Sequence, residues 1–264
     1  MPADLKKVKL GKKRPVLDTK RTLKLTKYLA PGIIAPETLD YSKGIREWGM
    51  MGNGPDPNIP QIPDGVGNCT CAGVIHACQV WGVNINGTLP AIPDITALQL
   101  YENWCGYVVG KDSTDNGAIE TWILNKWHKK KKVYGFKLTT YTNTDPADIE
   151  HVKLATWLFG ISYIGLALPI TCQNQTVWDV VGNPKLDYDS MPNSWGGHCV
   201  VVLGYDKETV TCITWGQLQK MTWEFWNTYC DESHPLLCEA WVSSGLSPSG
   251  FNYNQLYSDL TLCA

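Results

Sequence analysis

The stretch Gly65-Val66-Gly67-Asn68-Cys69-Thr70-Cys71-Ala72-Gly73 constrains this chain more than any other. It reads as a tight glycine-containing turn that delivers a cysteine to the first position of a helix. Ala72, Ile75, Cys78 and Val80 set the apolar spacing of that helix, which is expected from about Cys69 to Trp81, with Gly82 stopping it. A thiol at a helix N-terminus meets unpaired backbone N–H groups and the positive end of the helix dipole. Both favour the thiolate, so Cys69 is expected to ionise below the range of a free thiol. Cys71 is the rival nucleophile, but two residues on along a helix it points about 200° away, so only one of the two can face a common cleft.

A second stretch answers the first: Gly196-Gly197-His198-Cys199-Val200-Val201-Val202-Leu203-Gly204-Tyr205-Asp206. It reads as a buried strand with a histidine at its mouth. The paired glycines before His198 imply that something approaches the backbone closely there. Together the two stretches resemble the papain-like cysteine peptidase superfamily, in particular a bacterial and phage-type branch with a Gly-x-Gly-Asn-Cys-Thr nucleophile turn and a Gly-Gly-His-x-Val-x-Val-x-Gly-Tyr-Asp histidine strand. Cys69 and His198 are 129 residues apart, close to the family's separation of nucleophile and histidine. Asp115-Asn116-Gly117-Ala118, Gly165-Leu166-Ala167-Leu168-Pro169 and Thr214-Trp215-Gly216 follow the same order, so the resemblance spans roughly residues 40 to 245. It implies Cys69 as nucleophile and His198 as its proton acceptor. It also implies Thr after the nucleophile, which Thr70 satisfies, and this favours Cys69 over Cys71.

The chain departs from the family pattern at two places. The glutamine that helps build the oxyanion hole lies six residues before the nucleophile; here that position is Pro63, which has no N–H to donate. Gln61, Asn68 and Asn53 are the nearby substitutes. The asparagine that orients the family's histidine falls at Ile213, leaving Thr214, beside Trp215, and Thr211 as short polar neighbours. Two readings therefore stay open. One is a thiol hydrolase acting on peptide or protein substrates through a Cys69–His198 dyad, with transglutaminase-type acyl transfer as a variant. The other is a catalytically degraded papain-fold binding or assembly protein, including a phage virion component. Neither needs a cofactor or a metal, and the cysteine spacings make no convincing zinc set.

Composition limits the remaining choices. With 264 residues, 44% hydrophobic content and 12 Trp, the chain can fill one substantial core. No apolar run reaches the ~18 residues of a membrane span. No secretory h-region follows the basic start, so a cytoplasmic or virion-associated location is expected. The 10 cysteines are best read mostly as buried thiols. Residues 1–27 carry ten Lys or Arg against two acids, a net of +8, which leaves −10 on the remainder. A basic arm over residues 1–36 is thus expected to be held by an acidic surface, on its own body or on a neighbouring subunit in a homo-oligomer or larger assembly. That arm is shorter than the inhibitory pro-segments of papain-like zymogens. The Lys129–Lys132 run reads as a solvated helix end and not as a nucleic-acid contact.

Along the rest of the chain, residues 37–64 read as loop. Helices are expected over 96–109 with Asp94 as cap, over 118–127, and from Pro146 to Phe159. Strands are expected over 134–141, 161–168, 196–206, 209–215 and 239–243, with a short helix over 222–229. Helices come early and strands late. The expected architecture is α+β: one papain-like domain over 37–264, with a helical lobe (about 65–130) and an antiparallel β-sheet or barrel lobe (about 133–245) meeting at the Cys/His cleft.

Overall fold

The computed structural model describes residues 8–15, 27, 32–130, 132–247 and, near the C-terminus, 252, 254, 255 and 258. The parts of the arm at 1–7, 16–26 and 28–31 lie outside the described residues.

The central element is α1 (Cys69–Asn86), in which every residue from Cys69 to Val83 is buried. A helix that is apolar all round belongs in the middle of a fold and not on its surface. It runs a turn beyond the expected end: Gly82 is accommodated within it, and the stop comes at Gly87, a left-handed C-cap whose N–H bonds the Val83 carbonyl. The turn that feeds α1 depends on Gly65, at φ 68°, packed so closely against the Gly54 backbone that a Cβ has no room.

The helices α2 (Ile95–Cys105) and α3 (Glu120–Lys129) follow, then α4 (Ile149–Phe159). Each begins a few residues from its expected start. Asp94 makes no capping bond and spends its carboxylate on the Asn58 amide at 3.1 Å. Asp148 caps α4 by accepting from the His151 N–H.

Nine strands form one sheet: β1 (Leu39–Asp40), β2 (Glu47–Gly49), β3 (Leu138–Tyr141), β4 (Ser162–Leu168), β5 (Val177–Trp178), β6 (Gly196–Tyr205), β7 (Thr209–Thr214), β8 (Gly216–Thr222) and β9 (Cys230–Cys238). The main path is β2-β8-β7-β6-β4-β9-β3, with β1 on β6 and β5 on β8. All pairings are antiparallel except β5–β8. The expected α+β arrangement is therefore present. Other expectations fail: residues 239–243 form the short helix α6 (Glu239–Ser243), not a strand, residues 37–64, read as loop, supply β1 and β2, and β5, β8 and β9 stand outside the expected strands. The helix expected over 222–229 is α5 (Trp223–Tyr229), capped by the Thr222 hydroxyl.

β6 divides the core by its two-residue alternation. Cys199, Val201 and Leu203 face the cluster around α1, with Trp48, Trp81 and Trp127. Val200 and Val202 face the opposite cluster, with Trp178, Trp215, Phe225 and Trp226. Burying these aromatic rings supplies most of the apolar area that holds the fold together. Some of their indole N–H groups find carbonyls, Trp81 Nε1 donating to Phe159 at 2.8 Å and Trp226 Nε1 to Pro146 at 2.8 Å, whereas those of Trp48, Trp178 and Trp215 are buried without a partner. Among the described residues no helix is long and apolar enough to cross a membrane.

Candidate active site

Cys69 opens α1 and is 1% exposed; His198 is the third residue of β6 and is also 1% exposed. The turn before Cys69 is clamped by Asp115. Its carboxylate accepts the Gly67 N–H at 3.0 Å and the Tyr101 hydroxyl at 2.8 Å. The Tyr101 hydroxyl in turn accepts the Gly117 N–H at 2.7 Å. The Asp115-Asn116-Gly117 segment, part of the family resemblance in the sequence, thus fixes the backbone that leads into Cys69. Asn68 does a similar task from the other side, donating Nδ2 to the Met51 carbonyl at 2.8 Å.

His198 is held on two sides. Its Nε2 lies 2.7 Å from Thr214 Oγ1, and its ring stacks on Trp215 at 4.5 Å and 14°. Nδ1 is buried without a hydrogen-bond partner. The histidine acceptor missing at Ile213 is therefore supplied one residue later: β7 turns into β8 through Trp215, at φ 45°, which lays the indole against the imidazole. The next residue on β6, Cys199, turns its backbone N–H toward the Cys69 sulfur. That contact joins the start of α1 to the start of β6.

The electrostatics correct one expectation. The Cys69 thiol is pushed up to about 11, not down. Complete burial is the largest cause. The backbone amides of Cys199, Gly11 and Thr70 oppose it, and the carboxylate of Glu120 adds to it. A helix N-terminus cannot stabilise a thiolate that has lost all its water. His198 is driven down to about 3, by burial first and by His76 second. In this closed state both groups are neutral.

The other expected residues separate clearly. Cys71 is buried against Cys105. Gln61 is exposed, and no hydrogen bond ties it to the Cys69 turn among the described residues. Asn68 spends its amide on Met51. Asn53 is 2% exposed, and its Nδ2 donates to the Val66 carbonyl at 3.0 Å and the Lys9 carbonyl at 3.1 Å. His76, on α1, is held by Gln79 at 2.9 Å. The nine cysteines among the described residues are free.

A group that sequence reasoning missed lies beside the site. Glu120, Glu232 and His234 are buried, with ligand atoms within 4.8 Å of one another, a set that could hold a metal ion. The cation found there is the chain's own Lys12. Its Nζ is 2.6 Å from Asp231 Oδ1 and 3.0 Å from Glu232 Oε1. Lys12 is too far in sequence from these carboxylates for any local pattern to reveal the pairing.

No family model and no curated sequence matches this chain. Solved structures do. Xylellain, a cysteine protease from Xylella fastidiosa, superposes with a TM-score of 0.62 at 15% identity, over 88% of this chain and 96% of that one. Digestive procathepsin L 3 of Tenebrio molitor larval midgut gives 0.56 at 11% identity, over 88% and 77%. The procathepsin B S9 of Trypanosoma congolense gives 0.55 at 10% identity, over 89% and 88%. At such identities the likeness is one of fold, and the fold is papain-like.

Proposed function

We propose that this chain is a papain-like thiol hydrolase that cleaves peptide or amide bonds with Cys69 as nucleophile and His198 as its base. The observation that carries the reading is the setting of His198. One nitrogen is tied to Thr214, one face is packed on Trp215, and the remaining nitrogen is buried with no partner. With Nε2–H donating to the Thr214 hydroxyl, Nδ1 keeps its lone pair for the thiol proton. Once substrate and water enter, the proton passes from sulfur to Nδ1 and the thiolate attacks the carbonyl carbon. The imidazolium then protonates the leaving amine, and water hydrolyses the thioester. Asn53 Nδ2, which now donates to a main-chain carbonyl of the arm, is the side-chain donor for the oxyanion.

A second reading is a papain-fold binding or assembly protein of phage type. It is favoured by Pro63 at the position of the family's glutamine and by a thiol raised to about 11.

Iodoacetamide labelling with peptide mapping, run beside a peptide-hydrolysis assay, separates the two. Hydrolysis by the full chain that is abolished in Cys69→Ala and His198→Ala supports the enzyme. Hydrolysis that survives Cys69→Ala refutes it. No hydrolysis, with Cys69 labelling no faster in the native chain than in His198→Ala, leaves the binding reading.

A further inference from the structure

The cleft of this structure is not empty of chain. Residues 8–13 run through it. The Gly11 carbonyl accepts the Ala118 N–H at 2.7 Å, the Lys13 N–H donates to the Ala118 carbonyl at 2.8 Å, and the Lys12 N–H donates to the Gly197 carbonyl at 3.0 Å. The segment is thus gripped on one side by the turn before α3 and on the other by the residue preceding His198. Gly11 packs so closely on the Gly67 backbone that no side chain could replace its hydrogen. Gly11 presents its backbone N–H to the Cys69 sulfur, so the segment covers the thiol.

One side chain anchors this segment. Lys12 is 7% exposed, its stem lies against Gly165, where a Cβ would collide with it, and its ammonium meets Asp231 and Glu232. Glu120 stands behind them, fully buried and 3.6 Å from His234 Nε2, its carboxyl pushed well above the usual range by burial and by the neighbouring Glu232. Asp231 and Glu232, the latter also 3.3 Å from His234 Nε2, would repel one another across the slot without the lysine ammonium between them. Glu120 and Glu232 come from α3 and β9, and Gly165 from β4, so the pocket belongs to the fold and not to the arm.

We propose that this pocket selects a lysine side chain in the peptides the cleft receives, with Lys12 of residues 8–13 as its occupant in this structure. The proposal rests on the cleft reading above, but it concerns binding and does not require Cys69 to react.

The test uses the full chain carrying Lys12→Ala, with a fluorescently labelled peptide copying residues 8–15 and a second peptide in which norleucine replaces the lysine corresponding to Lys12. Anisotropy should show the lysine peptide binding at least ~10-fold more tightly than the norleucine peptide, as expected when a buried charge pair is restored rather than left broken. Adding Asp231→Asn and Glu232→Gln should remove that preference. The unmodified chain should bind the lysine peptide more weakly than Lys12→Ala does. Lys12→Met, which keeps an apolar stem in the slot, serves as the second variant if Lys12→Ala does not fold. Equal binding of the two peptides, or a preference that survives loss of both carboxylates, overturns the proposal. A lysine preference unchanged by Cys69→Ala, with no hydrolysis detected, supports the pocket while the hydrolase reading falls. Hydrolysis without any lysine preference does the reverse.

Discussion

The closed cleft makes a quantitative statement about Cys69. Burial raises its thiol from an ordinary 9.0 to about 11. At pH 7 the thiolate population is then roughly one in 10⁴, where an ordinary thiol would have roughly one in 10². The folded pKa lies above the unfolded one, so folding favours the protonated form. Its contribution to stability is full below about pH 9 and is lost as pH rises through 11. A shift of two units corresponds to about 3 kcal/mol over that window. Ultraviolet thiolate absorbance, taken as the difference between the native chain and Cys69→Ala, reads the ionisation directly. Near-ultraviolet circular dichroism defines the pH range over which the chain remains folded. The expected difference shows no step below about pH 10, and urea midpoints of the native chain should fall more steeply than those of Cys69→Ala between pH 9 and 11. A thiolate step centred below pH 8 would refute the reasoning, because it would mean that the helix terminus and the neighbouring amides outweigh burial.

Two further outcomes follow from the site. Thr214→Val should lower kcat for peptide hydrolysis by roughly 10-fold or more, with KM little changed and activity recovered in Thr214→Ser, because it removes the acceptor that fixes the His198 tautomer. Asn53→Ala should lower kcat by roughly 10²–10³, the usual loss for one oxyanion donor, and Asn53→Gln should not fully restore it; kinetics on folded variants check both.

Much of the framework was legible in the sequence. The turn before Cys69, the largely apolar α1 and the histidine strand announce themselves because their patterns are local. The strand β9 does not: Cys-Asp-Glu-Ser-His-Pro-Leu-Leu-Cys has little β-branched content and includes Pro235, yet it pairs with β4 on one side and β3 on the other. Tertiary pairing decides its state, not propensity. Residues 239–243 span five positions, too few for a period to separate helix from strand. The site divides in the same way. Cys69 and His198 sit in readable motifs, whereas Thr214 earns its place only because Trp215 turns the chain at a positive φ and brings the hydroxyl to Nε2. The thiol's pKa was misjudged because a sequence shows the helix start but not the arm that dehydrates it. The arm is expected on an acidic surface of its own body or of a neighbouring subunit; of its described residues, Lys12 lies on Asp231 and Glu232 and Lys9 lies 3.7 Å from Asp115.

Acyl trapping tests the central claim most directly. The full-length Lys12→Ala chain is incubated briefly with an activated ester of a lysine-containing peptide, quenched in acid and mapped by mass spectrometry. The account predicts a single acyl group on Cys69, absent in Cys69→Ala and formed far more slowly in His198→Ala. Acylation spread over other thiols, or a Cys69 adduct that forms as fast without His198, would contradict it.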